Sequence, residues 1–217
     1  MGAVFASSTG RRWAVPISHR RLNERPSAVL FLEDLAYRYN LEMSQADGQV
    51  VIRPATPADC RSVAALYGGY VRESLANFEL IAPGLEDWQA KLEELDKLGL
   101  PFLVAIDGEE LVGYALLTPW RPRPGYRFTV EDSIYIHPQR TGQGLGRRLL
   151  SELLAAARAW GAKQVVAVIA DSGEPASPAL HLGAGFVEVG RLRQVGFKQG
   201  RWVDTLLLQL GLEDLPS

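Results

Sequence analysis

Tyr135-Ile-His-Pro-Gln-Arg-Thr-Gly-Gln-Gly-Leu-Gly-Arg-Arg148 decides how this chain is read. An apolar strand runs into His137-Pro138, a loop carries Gly142, Gly144 and Gly146, and a long helix opens at Arg147. Glycines in such a turn let backbone N–H groups approach an anion closely, and the positive end of the helix dipole favours negative charge. Arg147 and Arg148 add charge to the first helical turn. The segment therefore reads as a pyrophosphate cradle, with a plain tight turn as the alternative that the glycines alone leave open. The spacing Gly142-x-Gly144-x-Gly146 is not G-x-G-x-x-G, and no G-K-[ST] follows, so neither a dinucleotide fold nor a P-loop is indicated.

Working outward, the helix of Arg147 to Trp160 places Leu149, Leu150, Leu153, Leu154 and Ala157 on one face, and Gly161 ends it. Gln164 to Ile169 follows as a continuous apolar strand, the pattern of a strand buried on both faces. Ala179 to Gly183 forms a short helix, and Phe186–Leu192 and Val203–Leu210 are two last strands around a turn at Phe197–Arg201. Upstream, Val50-Val51-Ile52 is a strand. Thr56 caps a helix that has Pro57 in its first turn and carries Val63, Leu66, Tyr67 and Tyr70. A second helix spans Leu85–Leu98 with Trp88, Leu92 and Leu95 inward. Strands at Phe102–Ile106 and Leu111–Leu117 flank Asp107-Gly108, where Glu109-Glu110 predicts a turn longer than two residues. A Pro- and Arg-rich loop, Thr118–Gly125, leads into the strand Val130–Ile136. The order predicts an α/β domain with a single mixed central sheet flanked by helices.

Composition bounds the rest. The chain has 217 residues, 47% of them hydrophobic and 22% charged, with a formal net charge of −2. Residues 47–217 form the folded domain, with organised sequence from Gln49 onward. Residues 1–46, with Arg11, Arg12, Arg20, Arg21 and Arg25, read as a partly disordered extension that could form an amphipathic helix at 28–41. No apolar run reaches the roughly 18–20 residues of a membrane-spanning helix, and no basic face or motif points to nucleic acid. The single cysteine, Cys60, excludes an internal disulfide, and no Cys/His cluster has metal-ligand spacing, so no metal is expected.

Thr141-Gly142-Gln143-Gly144-Leu145-Gly146 resembles the [Q/R]-x-x-G-x-[G/A] motif of the GNAT acetyltransferases, with Thr141 where Gln or Arg is usual. Further blocks narrow the resemblance. They are Arg53-Pro54-Ala55-Thr56, Asn77-Phe78, Pro119-Trp120, Tyr126-x-x-Thr129-Val130-Glu131-x-Ser133, Ser177-x-x-Leu180-His181 and Gly196-Phe197-Lys198-x-Gly200-x-Trp202-x-Asp204. Over about residues 50–210 they are similar to the phosphinothricin/methionine sulfoximine N-acetyltransferase subgroup. Gly173-Glu174-Pro175-Ala176 departs from that subgroup, which often carries an Asn before the Leu-His pair.

The resemblance implies a GNAT fold, acetyl-CoA as the acetyl donor, direct attack by the amine of a small amino acid-like substrate, a homodimer and a cytoplasmic place. It also implies roles. Glu131 is the expected general base, acting through a water, since a half-buried carboxylate can be tuned upward. His181, in the Leu-His pair, is expected to orient substrate or relay a proton. Ile134, Tyr135 and Ile136 are expected beside the thioester, with their backbone N–H groups polarising its carbonyl. Thr141, Gly142, Gln143, Gly144, Leu145, Gly146 and Arg147 are expected to hold the cofactor, and Ser177 either caps the following helix or reaches the cofactor. Phe78, Trp120, Arg121, Arg123 and Tyr126 are expected to bind an anionic amino acid-like substrate, arginine forks being suited to carboxylates. His137 is assigned a structural role, and Cys60 none in catalysis. Another small amine as acceptor, or an acyl-CoA-binding regulator without turnover, are the other readings.

Overall fold

The computed structural model describes residues 50–212, so the expected N-terminal extension and its helix at 28–41 lie outside the described residues. Seven strands form one sheet in the order β1-β2-β3-β4-β5-β7-β6. They are β1 (Val51–Pro54), β2 (Phe102–Asp107), β3 (Glu110–Pro119), β4 (Thr129–Ile136), β5 (Gln164–Ala170), β6 (Val187–Lys198) and β7 (Arg201–Gly211). Four helices accompany them: α1 (Cys60–Glu73), α2 (Leu85–Leu98), α3 (Leu145–Trp160) and α4 (Ala176–Gly183). This is the mixed α/β sheet that the element order predicts.

Every neighbouring pair is antiparallel except β4 and β5. A parallel pair needs a long crossover, and α3 supplies it. The inward stripe of α3 is buried as its spacing predicts, with Leu149, Leu150, Leu153, Leu154 and Ala157 in the core. Gly161, at φ 97°, closes the helix by donating its N–H to the Ala157 carbonyl. On the opposite face, α1 contributes Val63 and Leu66, and α2 contributes Trp88, Leu92 and Leu95.

One departure from regularity makes the site. The β4–β5 pairing covers only Thr129–Asp132 against Gln164–Ala167. Beyond it β4 continues along β3, and β5 continues along β7, but the two no longer pair with each other. Val168, next in β5, is 38% exposed although β5 is otherwise a buried strand. The sheet splits at its centre, and the glycine turn lies just past the end of β4.

Local readings differ at four points. Thr56 does not cap α1. Its N–H and hydroxyl both donate to the Asp59 carboxylate (2.7 Å each), which the Arg53 guanidinium also grips at 2.7 and 2.8 Å, and the helix starts at Cys60. The β2–β3 turn is tighter than expected, because Asp107 pairs with Glu110 and only Gly108-Glu109 turn. Helix α4 starts three residues early, at Ala176. Strand β6 runs six residues past Leu192, through an irregularity between Leu192 and Gly196 where Gln194 takes φ 51°. The hairpin turns at Gln199-Gly200, both at positive φ.

Candidate active site

Strand alternation places Glu131 and Asp132 on opposite faces of β4. Glu131, Ser133 and Tyr135 look toward α1 and α2. Tyr135 stacks on Tyr114 (centroids 5.3 Å apart) and meets Tyr67 and Tyr70 edge-on at 5.0 and 5.1 Å. The Tyr70 hydroxyl donates to the Ile136 carbonyl at 2.7 Å, fixing the end of β4. These contacts hold the Tyr135 ring against an aromatic wall, and its backbone pairs with Tyr114 of β3, so the strand edge turned to the split is that of Ile134 and Ile136, not of Tyr135.

Glu131 is half-buried, opposite Thr118 of β3. Burial is the main cause that raises its pKa above 4.5, and the Asp132 charge adds to it. Arg121 and Lys91 pull the other way but are outweighed. A carboxylate tuned upward in a half-buried place suits proton abstraction. Arg121 lies 4.6 Å over the Trp120 ring, and Arg123 and Tyr126 are exposed on the same loop. Tyr126 closes a single helical turn, Pro124–Tyr126, just before β4.

The other wall is built from distant parts of the chain. Phe78 lies so close over Gly196 of β6 that a Cβ there would overlap its ring. Lys198, only 4% exposed, donates to the Asn77 backbone carbonyl at 3.0 Å and to its side-chain oxygen at 3.1 Å. Burial lowers the Lys198 pKa. The C-terminal hairpin is thus clamped to the α1–α2 loop. Lys198 stands in a block that carries the family resemblance, but no spacing rule ties it to a residue 121 positions away.

At the mouth of the split, Gly142 and Gly144 take φ 73° and 81°, and a Cβ on either would project into open space. Both conformations favour glycine, and both leave the backbone uncovered. The first helical bond of α3 is Arg148 N–H to the Gly144 carbonyl, so the N–H groups of the preceding residues lack helix partners. That is the condition for holding an anion at a helix start, and the residues present fit a pyrophosphate. Arg147 is exposed beside it, whereas Arg148 turns away to donate to the Val50 carbonyl at 2.9 Å. The Thr141 hydroxyl and Gln143 amide fold back onto the Pro138 and Gln139 carbonyls (3.0 and 3.2 Å), and Leu145 is a core side chain, so these three offer backbone.

Ser177 departs from its expected capping role. Ser177 caps nothing: Pro175 precedes α4, and Ser177 lies exposed in its first turn. His181 lies behind β4, on the face of Asp132. Its Nε2 is 2.9 Å from Asp132 Oδ2 and its Nδ1 is 2.8 Å from the Ser177 carbonyl. His137 accepts the Gln139 N–H at the turn after β4, a structural role as expected. Cys60 is buried in α1, and burial raises its pKa. A groove of about 730 Å3 between α1 and the β2–β3 turn includes Tyr70 and His137 but neither Glu131 nor the glycines. No cluster that could hold a metal ion occurs among the described residues.

Known proteins are similar to this chain in sequence and fold. The profile of the acetyltransferase (GNAT) family matches residues 65–186, from within α1 to just before β6. The chain belongs to that family. It is 41% identical to the phosphinothricin N-acetyltransferase of Alcaligenes faecalis over 81% of its own length and 88% of the relative's. It is 38% identical to the L-methionine sulfoximine/L-methionine sulfone acetyltransferase of Salmonella typhimurium, over 76% and 96%. The structure of a GNAT superfamily phosphinothricin acetyltransferase from Sinorhizobium meliloti, solved in complex with acetyl-CoA, superposes with a TM-score of 0.72 at 38% identity, covering 75% of this chain and 88% of that one. As a GNAT acetyltransferase domain, the split between β4 and β5 and the glycine turn at its mouth are the parts to which function must be referred.

Proposed function

We propose that this protein is an N-acetyltransferase that moves the acetyl group of acetyl-CoA to the amine of a small amino acid-like substrate of the phosphinothricin or methionine sulfoximine type. The observation that carries the reading is the split sheet, with an anion-holding turn at its mouth and Glu131 on the face beyond it. Acetyl-CoA, when bound, supplies an activated acetyl thioester. The backbone N–H groups of Gly142 to Arg147 hold its pyrophosphate, and those of Ile134 and Ile136, on the edge of β4 turned away from β3, steady developing negative charge. Glu131 holds the proton that leaves the amine, taken through a water. Arg121 and Arg123 receive the substrate's anionic groups, while Phe78, Trp120 and Tyr126 form its apolar walls. Buried Cys60 is removed from this path, which favours direct attack.

Two finer points belong to the same reading. The protein works as a homodimer, supported by the apolar side chains that the β6–β7 hairpin exposes, among them Val187, Val189, Val195, Phe197 and Trp202. It works in the cytoplasm, consistent with a single cysteine and no internal disulfide. Light scattering on the purified chain tests the first point, a monomer being the opposing result.

Release of free CoA from acetyl-CoA tests the reaction, with phosphinothricin, methionine sulfoximine, ordinary amino acids and spermidine offered separately. Turnover confined to the first two supports both reaction and acceptor. Turnover with a different amine keeps the reaction and removes the acceptor, and binding without turnover on any of them removes the enzyme reading.

A further inference from the structure

Asp132 and His181 take no part in the reaction proposed above, yet they are enclosed more than most polar groups. Their residues are 6% and 4% exposed. The Ser177 carbonyl can only accept, so the Nδ1 it faces carries a hydrogen. Nε2 faces a carboxylate and donates to it. Both ring nitrogens are therefore engaged, and neither N–H remains to be given to a departing sulfur. Phe186 closes the ring edge-on at 5.1 Å.

The place of the pair is informative. Asp132 is the last β4 residue that pairs with β5. One position before His181, Leu180 packs against the start of α3: a Cβ added to Gly146 would lie 3.3 Å from Leu180 Cδ2. Helix α4 is thereby tied at two adjacent points, to the strand at the apex of the split and to the helix that follows the glycine turn. Asp132 Oδ1, buried without a partner, leaves the carboxylate held from one side only, so its contact with His181 fixes its position.

We propose that the Asp132–His181 pair is a positioning device for the donor site, holding α4 at the apex of the split and, through Leu180, setting its distance from the glycine turn. This rests on acetyl-CoA being the donor. The pair acts on acetyl-CoA binding and not on proton transfer.

Glutamine separates these roles, because its amide can still donate to Asp132 but cannot supply a proton. Acetyl-CoA is titrated calorimetrically, without acceptor, into wild type, His181→Gln, His181→Leu and Asp132→Asn. Turnover is measured alongside, and thermal melting reports folding. Relative to wild type, His181→Gln and Asp132→Asn keep the dissociation constant within about threefold, whereas His181→Leu raises it about tenfold or more. Turnover of His181→Gln at saturation stays within about threefold of wild type. Normal binding with turnover down about a hundredfold in His181→Gln would overturn the proposal and make His181 a proton donor. Unchanged affinity in His181→Leu, with only a lowered melting temperature, would make the pair merely structural and overturn it as well. If His181→Leu does not fold, the His181→Gln turnover still decides. A wild type that does not bind acetyl-CoA overturns the donor assignment itself, a result distinct from wild-type binding that the variants leave unmoved.

Discussion

The two faces of β4 carry adjacent acids in opposite circumstances. In front, Glu131 is half-buried, and the charges of Arg121 and Lys91 only partly offset its burial. Behind, Asp132 is sealed, with His181 hydrogen-bonded to one oxygen. Burial alone would pull the His181 pKa down, but the bond and charge of Asp132 and the Ser177 carbonyl push it above 6.5. One carboxylate is kept available and the other is committed. A step of one residue along a strand is enough to exchange these fates, because it exchanges the faces.

Glu131→Gln is the widest break in the comparison. It leaves the fold intact and lowers kcat/KM by about 10²–10³, since a positioned general base contributes on that order. Steady-state assays check it, together with an unchanged melting curve. Asp132→Ala inverts the pattern. It strands a buried imidazole and costs about 3 kcal/mol of stability, the range for breaking a buried pair, read from denaturant unfolding. A pH series sharpens that result. A His pKa raised on folding contributes stability that is full below about 6.5 and is lost as pH rises through the folded-state value, so the gap between wild type and Asp132→Ala narrows with rising pH.

Smaller effects fall on the front face. Gly196→Ala pushes a methyl into the Phe78 ring and raises the acceptor KM about fivefold, roughly 1 kcal/mol, with acetyl-CoA affinity unchanged. Arg121→Gln removes a charge that holds the Glu131 pKa down. The acid limb of kcat/KM, already above the ordinary glutamate value of 4.5, then moves to higher pH. Movement to lower pH would show that Glu131 does not set that limb.

The glycine turn, α2, α3 and the strands near them were legible because apolar periodicity and helix-end residues are local signals. Strand β6 was cut short at Leu192 because the regular pattern stops there, whereas the chain carries on through an irregularity between Leu192 and Gly196. Thr56 looked like a cap because the sequence cannot say that Asp59 would be taken by Arg53. In the site, Glu131 was found by resemblance, and its tuning is a burial effect that no spacing encodes. Asp132 was passed over beside it, since its meaning depends on a histidine 49 positions away. Lys198 and Asn77 were quoted as matching blocks, but their contact exists only once the hairpin folds back over α1.

The parting of β4 and β5 leaves backbone from Ser133 to Ile136 and from Val168 to Ala170 without a strand between them, in the middle of the sheet rather than at its rim. Alternate amides there have no partner strand, and an extended molecule lying along them would serve as the absent strand. The sheet is then finished by the substrate that it consumes. The amides that follow Asp132 in β4 should therefore gain protection from exchange when acetyl-CoA is added, which amide-exchange measurements can read.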